Sequence, residues 1–271
     1  MKNIWLIVLL AANVTFAKQN KKPGITYTVR CTYQLAYQPD STNPVKKSET
    51  FVLFLGNEQS LFQSKTKFLK DSFQTTADAS GRSTQTSMDF YRQNQTNFDY
   101  NIIKKGCGDI TTVDRVYHDF YAYKDVFDPG SWVILNDTAT IVGYHCQKAQ
   151  ANFGGRQWFA WFTSEIPIPD GPYKFCGLPG LIVRLVDVKA FYDFTLVGLQ
   201  EKNKEIVEWN GEKLNTTTKA KYFKKLKNYN ENPIGVAEQS GVVFTSGRNE
   251  IMQRLQQRAK ENNNPIELIK D

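Results

Sequence analysis

Residues 158–183 read WFAWFTSEIPIPDGPYKFCGLPGLIV, with aromatic and aliphatic runs flanking a centre punctuated by four prolines and three glycines. On an extended chain Trp158, Ala160 and Phe162 fall on one side and Gln157, Phe159 and Trp161 on the other, so both sides of this strand expect cover. Downstream, Leu181 to Val188 is apolar and β-branched, and Phe191 to Leu199 repeats the style after a break at Lys189-Ala190, which predicts two antiparallel neighbours. The centre is built for reversals. Asp170-Gly171-Pro172 and Leu178-Pro179-Gly180 each join a residue of fixed φ to a permissive one, and Pro179-Gly180 suits the central positions of a type II turn.

The same grammar continues toward both ends. Ile25 to Tyr37 alternates apolar with polar residues as a half-buried strand, and Glu49 to Leu55 is its hairpin partner across a polar turn at 40–44. Ser64 to Phe73 has helical spacing and leads into a small, polar loop over 75–87. Met88 to Tyr91, Phe98 to Lys104, Ile110 to Tyr123 and Trp132 to Leu135 follow as strands, and such short, regular intervals predict an antiparallel meander rather than βαβ alternation. Past Leu199 the chain turns charged. Lys219 to Lys227 places Tyr222, Phe223 and Leu226 on one helical face with its lysines solvated, Val236 to Thr245 predicts an edge strand, and Asn249 to Lys260 a terminal helix with Ile251, Met252, Leu255 and Ala259 inward.

The six residues Gly177, Leu178, Pro179, Gly180, Leu181 and Ile182 spell GLPGLI. With Ile141 to Ala149, Trp158 to Thr163, Glu165 to Ile168 and Gly171 to Phe175 in the same order and spacing, the stretch from Trp132 to Leu199 resembles the GLPGLI family of envelope and secreted proteins of the Bacteroidota. The resemblance covers about a quarter of the chain and implies membership without an activity, because that family has no settled substrate, cofactor or catalytic residues. Cys176 stands where the family does not lead one to expect a shared cysteine.

Lys2, the apolar run Ile4 to Ala12 and Ala17 after Thr15-Phe16 form a three-part secretory signal over 1–17, leaving residues 18–271 as a single β-rich domain with a C-terminal helix. The apolar run is shorter than the ~20 residues of a spanning helix, and the first cysteine, Cys31, lies inside a strand rather than at a lipid-anchor position. The expected location is periplasmic or secreted, with no membrane span. Without Lys2 the chain carries 33 basic residues (34 less one) against 27 acidic ones, a net +6 that is too mild for a nucleic-acid footprint. Four cysteines, Cys31, Cys107, Cys146 and Cys176, suit disulfides in an oxidising compartment. They allow three complete pairings, of which Cys31 with Cys107 and Cys146 with Cys176 closes the shortest loops.

Reactive constellations are scarce. His145 and Cys146 leave opposite faces of a strand and cannot pair, while His118 and His145 offer no metal-ligand spacing, and no C-x-x-C occurs. GxSxG, P-loop and GxGxxG motifs are absent. Glu165, Asp170 and Asp187 near the tryptophans would suit a glycosidase pair, although a turn gives Asp170 a simpler task. No catalytic, cofactor-binding or metal-ligating residue is therefore assigned, and no cofactor is expected. Trp158, Trp161 and Phe175, with Tyr27, Tyr33 and Tyr37, either fill a large β core or line a concavity for an apolar, amphipathic or sugar ligand.

The sequence thus predicts a mainly β fold, a curved antiparallel sheet forming an open half-barrel or barrel with a few peripheral helices. Its expected role is non-catalytic, binding an apolar or amphipathic ligand or a protein partner. Two alternatives stand beside it: a hydrolase of envelope polymer or peptide, and a structural component without a small ligand.

Overall fold

The computed structural model describes residues 24–80, 84–208, 214–244 and 246–268; the expected secretory signal lies outside them. Strands β1 (Gly24–Tyr37), β2 (Lys47–Leu55) and β3 (Ser60–Ser64) precede helices α1 (Lys65–Ser80) and α2 (Thr84–Gln93). Strands β4 (Asn101–Lys104), β5 (Ile110–Val116), β6 (Asp119–Asp125), β7 (Val133–Ile141), β8 (Tyr144–Phe153), β9 (Arg156–Thr163), β10 (Leu181–Asp187), β11 (Tyr192–Glu208) and β12 (Leu214–Thr217) follow. The chain continues through α3 (Lys219–Glu231), α4 (Pro233–Gln239) and α5 (Arg248–Lys260). The strands form one open sheet in the order β12-β6-β5-β4-β3-β2-β1-β11-β10-β9-β8-β7, antiparallel throughout except where β12 runs parallel to β6. The mainly β, antiparallel architecture read from the sequence is the one observed.

The sheet curls on itself. Phe127, just past β6, and Phe153, at the end of β8, have ring centroids 5.7 Å apart. Those strands stand second and eleventh in the sheet, nine steps apart, a separation that a flat sheet at ~4.8 Å per step would stretch to roughly 43 Å. What fills the enclosed space is the Pro- and Gly-rich centre of the opening stretch. Phe175 sits at its middle, fully buried against Trp158 at 5.1 Å and ringed by Phe127, Phe153 and Trp132 at 5.2, 5.4 and 5.8 Å. Burial of each such ring stabilises by roughly 1.5–3 kcal/mol, which makes this plug a principal part of the core.

Proline geometry shapes the plug. The amides of Ile168, Asp170 and Gly180 donate to the carbonyls of Ile166, Ile168 and Leu178 at 2.8, 2.8 and 2.7 Å, so Pro167, Pro169 and Pro179 each centre a three-residue γ-turn. Around Pro179 this replaces the expected type II turn. Gly180 is required by crowding as well as by its φ of +146°, since a Cβ there would lie 2.0 Å from the Thr163 carbonyl oxygen. Gly177, at φ +89°, would press a Cβ onto Pro129 and the Cys107 sulfur.

That sulfur is bonded to Cys176, closing a separation of 69 residues and pinning the β4–β5 turn to the plug. Cys31 and Cys146 are free and buried. The expected pairing of Cys31 with Cys107 and of Cys146 with Cys176 is therefore corrected: loop-closure entropy ranks pairings in the unfolded chain, whereas the curl of the sheet decides which thiols meet.

On the other face, Phe68 of α1 covers Phe54 at 5.3 Å beside Ile25, Tyr27, Leu61 and Ile103. Four local readings change. Met88 to Tyr91 is helical within α2, where Phe90 stacks on Phe73 at 3.9 Å. Ile110 to Tyr123 breaks into β5 and β6 at Tyr117-His118, with Tyr117 at φ +59°. The charged run after Leu199 stays extended, because residues Gly24 to Val29 of β1 offer it a backbone partner. Val236, expected at the start of an edge strand, belongs to α4, whose Asn232 side chain caps the Gly235 amide ahead of Pro233.

Candidate functional site

The residues singled out from the sequence do not converge on an open surface. Trp158 and Phe175 are fully buried against one another, and Trp161 lies on the opposite face of β9, half-buried beneath the Lys148 ammonium at 5.6 Å. As placed, Trp158 and Phe175 belong to the core and present no wall to a ligand. Glu165 is exposed and accepts the His145 amide at 2.7 Å. Asp170 binds the Lys104 ammonium and accepts the Ser60 hydroxyl at 2.6 Å, while Asp187 pairs with Arg156 at 3.2 Å. These three carboxylates hold the plug and the sheet together. His145 points outward and Cys146 inward, as strand alternation requires. Burial pushes the Cys31 thiol up to about 12 and raises that of Cys146, so neither carries thiolate near neutrality. Among the described residues no three His, Cys, Asp or Glu side chains come together as a metal site.

A cleft does form elsewhere, and of the aromatic residues read from the sequence as candidate liners Tyr37 alone reaches it. It encloses about 290 Å³ between the ends of β1, β5 and β6, the segment 97–100 before β4, helix α3 and the segment 262–267. Six tyrosines line it: Tyr37, Tyr100, Tyr123, Tyr173, Tyr192 and Tyr222. Asp114, Glu267 and Asn264 add polar groups. A contiguous outer groove of about 390 Å³ shares Asn97, Asp114 and Tyr222 and runs on past Arg115, Tyr229 and Arg258.

Local structure explains each wall. Period-two alternation turns Tyr37 of β1, Asp114 of β5 and Tyr123 of β6 toward α3, whose buried Tyr222 stacks on Tyr123 at 4.9 Å. The Tyr222 hydroxyl donates to Asp114 Oδ2 and the Arg115 amide to Oδ1, both at 2.7 Å. Burial nevertheless prevails and raises the Asp114 carboxyl from 3.8 to about 6. Tyr100 is 8% exposed and its hydroxyl has no hydrogen-bond partner.

The remaining wall is a strap after α5. Arg156 reaches Ile266 and Pro265 carbonyls at 3.0 and 2.5 Å and Asn264 Oδ1 at 2.6 Å, and Tyr192 donates its hydroxyl to the Asn264 carbonyl at 2.6 Å. Glu267 completes a closed ring of charges. Lys174 pairs with Asp125 at 2.9 Å and Glu267 at 2.5 Å; Lys219 pairs with the same two at 2.7 and 2.6 Å. Burial alone would raise the Glu267 carboxyl, but the two ammonium groups reverse that and hold it below its ordinary range. Plug, β6, α3 and strap thus meet in one charge-balanced cluster beside the cleft.

Comparison with known proteins centres on the plug. A family model described as a protein of unknown function (Porph_ging) matches residues 155–184. That span holds Arg156, Asp170, Lys174, Cys176 and the GLPGLI hexapeptide, the residues through which β9 and the plug grip the rest of the molecule. No curated protein sequence matches the chain. Among solved structures, PNGF-II in a C2 crystal is similar with a TM-score of 0.52 and 10% identity over 75% of this chain. PNGF-II in a P21 crystal gives a TM-score of 0.49 and 10% identity over 74%. The chain spans about a third of the length of PNGF-II, covering 33% of it in both crystals, and the likeness to the C2 structure is one of fold.

Proposed function

We propose that this chain is an exported, single-domain binding protein whose small amphipathic ligand enters the tyrosine-lined cleft. One observation carries the reading: Tyr100 lines the cleft, is nine-tenths buried, and has a hydroxyl that no protein group satisfies. Such a group left unmade costs about 1–3 kcal/mol, and native proteins retain few of them without a reason. That hydroxyl is closed over within the chain, and a ligand atom supplies the missing bond once a covering side chain shifts. Export is supported by the secretory signal read at 1–17 and by the Cys107–Cys176 disulfide, which suits an oxidising compartment. No described helix is long and apolar enough to cross a membrane.

The test is native mass spectrometry of the chain purified from its own cell envelope, beside a Leu226→Trp variant that narrows the cleft mouth. A small molecule should accompany the parent protein and be lost from the variant. Retention by both, or by neither, refutes the reading.

A hydrolytic reading has a different observation behind it. A carboxyl in a cleft that keeps its proton to about pH 6, as Asp114 does, is suited to general acid work. Turnover of chromogenic glycosides or peptides that Asp114→Asn abolishes would establish it, and background rates in the parent protein remove it.

A further inference from the structure

We propose that the cleft recognises the terminal ring of a neutral saccharide chain, an assignment that rests on the binding role argued above and names its ligand class. The inner cleft, at about 290 Å³, is at the small end for ligand sites and suits one ring. Its outlet is the contiguous groove of about 390 Å³, so a ligand inserted at one end has room to continue. That shape fits a chain end rather than a compact metabolite.

The chemistry of the lining narrows the class. Polar positions left open in the lining are few, because Tyr173, Tyr192 and Tyr222 already donate to Glu267, Asn264 and Asp114 and the side-chain amides of Asn97, Asn262 and Asn264 are bonded within the protein; the Tyr100 hydroxyl, which both donates and accepts, is left to match a sugar hydroxyl. Both Asp114 oxygens already hold one hydrogen bond and keep a second acceptor position free. Tyrosine rings supply apolar faces for the C–H side of a pyranose. An acyl chain would leave the Tyr100 hydroxyl and the open acceptor positions of Asp114 without a partner. An anionic ligand would need a cation in the inner cleft. Lys174 and Lys219, the ammonium groups beside it, are both committed to Asp125 and Glu267.

The experiment titrates the full mature chain with two probes. One is a panel of neutral hexose and N-acetylhexosamine oligomers from one to four rings; the other is p-cresol, which offers an aromatic ring and one hydroxyl. Parent protein, Tyr100→Phe and Leu226→Trp are compared, with circular dichroism confirming that each variant folds. The expected result is a saccharide that binds more tightly as a chain than as a single ring, weakens about three- to tenfold in Tyr100→Phe through loss of one hydrogen bond, and fails to bind Leu226→Trp. Saccharide binding that ignores both substitutions overturns the assignment, since the site then lies elsewhere. If p-cresol binds in a Leu226-dependent way while no saccharide does, the ligand class is wrong and the binding role stands. If neither probe binds, both fall.

Discussion

Replacing Lys174 by Met would remove one ammonium from the closed ring it forms with Asp125, Lys219 and Glu267 while keeping an apolar stem of similar length over Tyr123 and Tyr173. The Lys174 side chain is fully buried and those of Glu267 and Asp125 are nearly so, at 5% and 11% exposure. Two carboxylates would then share one cation. Breaking a buried pair by deleting one partner costs about 3–5 kcal/mol, because the other charge is stranded in a medium that solvates it poorly. Lys219 still touches both carboxylates and is one-third exposed, which holds the expected loss to the lower end, about 3 kcal/mol. In urea at pH 7, with an m-value of about 3 kcal/mol/M, the unfolding midpoint should fall by about 1 M with m unchanged.

The dependence on pH provides the sharper check. Asp125 and Glu267 titrate below their ordinary values of 3.8 and 4.5, so each contributes stability that is fully present above those values and is lost as pH falls through the depressed folded pKa. The penalty of Lys174→Met should accordingly be full at pH 7 and shrink toward pH 3, where protonation relieves the stranded carboxylates. A double variant adding Glu267→Gln should recover part of the loss at pH 7, since no second charge is then left unpaired. A midpoint shift below about 0.2 M at pH 7, or an equal shift at both pH values, would refute the idea that this ring is held by charge.

Titration of the denatured, unreduced protein should find two free thiols, Cys31 and Cys146, and four after reduction; reduction should destabilise the fold by about 4 kcal/mol through the 69-residue closure it opens. Asp114 has a raised folded pKa, so it favours folding at acid pH and opposes it increasingly as pH rises from 3.8 through about 6. Asp114→Asn should therefore stabilise the protein at pH 8 by less than about 3 kcal/mol and flatten the profile between pH 4 and 6, as read by thermal melts; a destabilised variant at pH 8 would contradict the burial argument. Gly180→Ala should prevent folding or cost more than about 3 kcal/mol, whereas Gly143→Ala, with a positive φ but open space, should cost about 1 kcal/mol by the same denaturation assay.

Much of the sheet was legible because its signals are local. Alternation in Ile25 to Tyr37 reports which side of β1 is covered, and the polar turn at 40–44 joins it to its partner β2. Short apolar runs failed where neighbours decide. Met88 to Tyr91 is too brief to distinguish periods, and stacking of Phe90 on Phe73 makes it helical. Asn232-Pro233 did carry a readable helix start, and the apolar residues after it were mistaken for an edge strand. The cleft was illegible for another reason. Its tyrosines come from β1, β6, the plug, β11 and α3 and the segment before β4, and nothing in their spacing separates a tyrosine that fills a core from one that lines an opening.

The same topology accounts for where the charges went. A curled sheet that stays open leaves its concave side exposed unless something is fastened inside it, and here the fasteners are a Pro-rich plug and a C-terminal strap. Strand pairing alone cannot hold the plug, because γ-turns at Pro167, Pro169 and Pro179 tie up the Ile168, Asp170 and Gly180 amides locally. Ion pairs replace the ladder: Lys104 grips Asp170 at one end of the plug, Lys174 grips Glu267 of the strap at the other, and Arg156 of β9 binds the strap again. The most distinctive stretch of the sequence is therefore the part that fills the inside of the curled, open sheet, and the cleft opens beside it, where the strap meets α3 and the sheet supplies the remaining wall. Its chemistry should be sought at Tyr100, Asp114 and Tyr222 rather than at the hexapeptide itself.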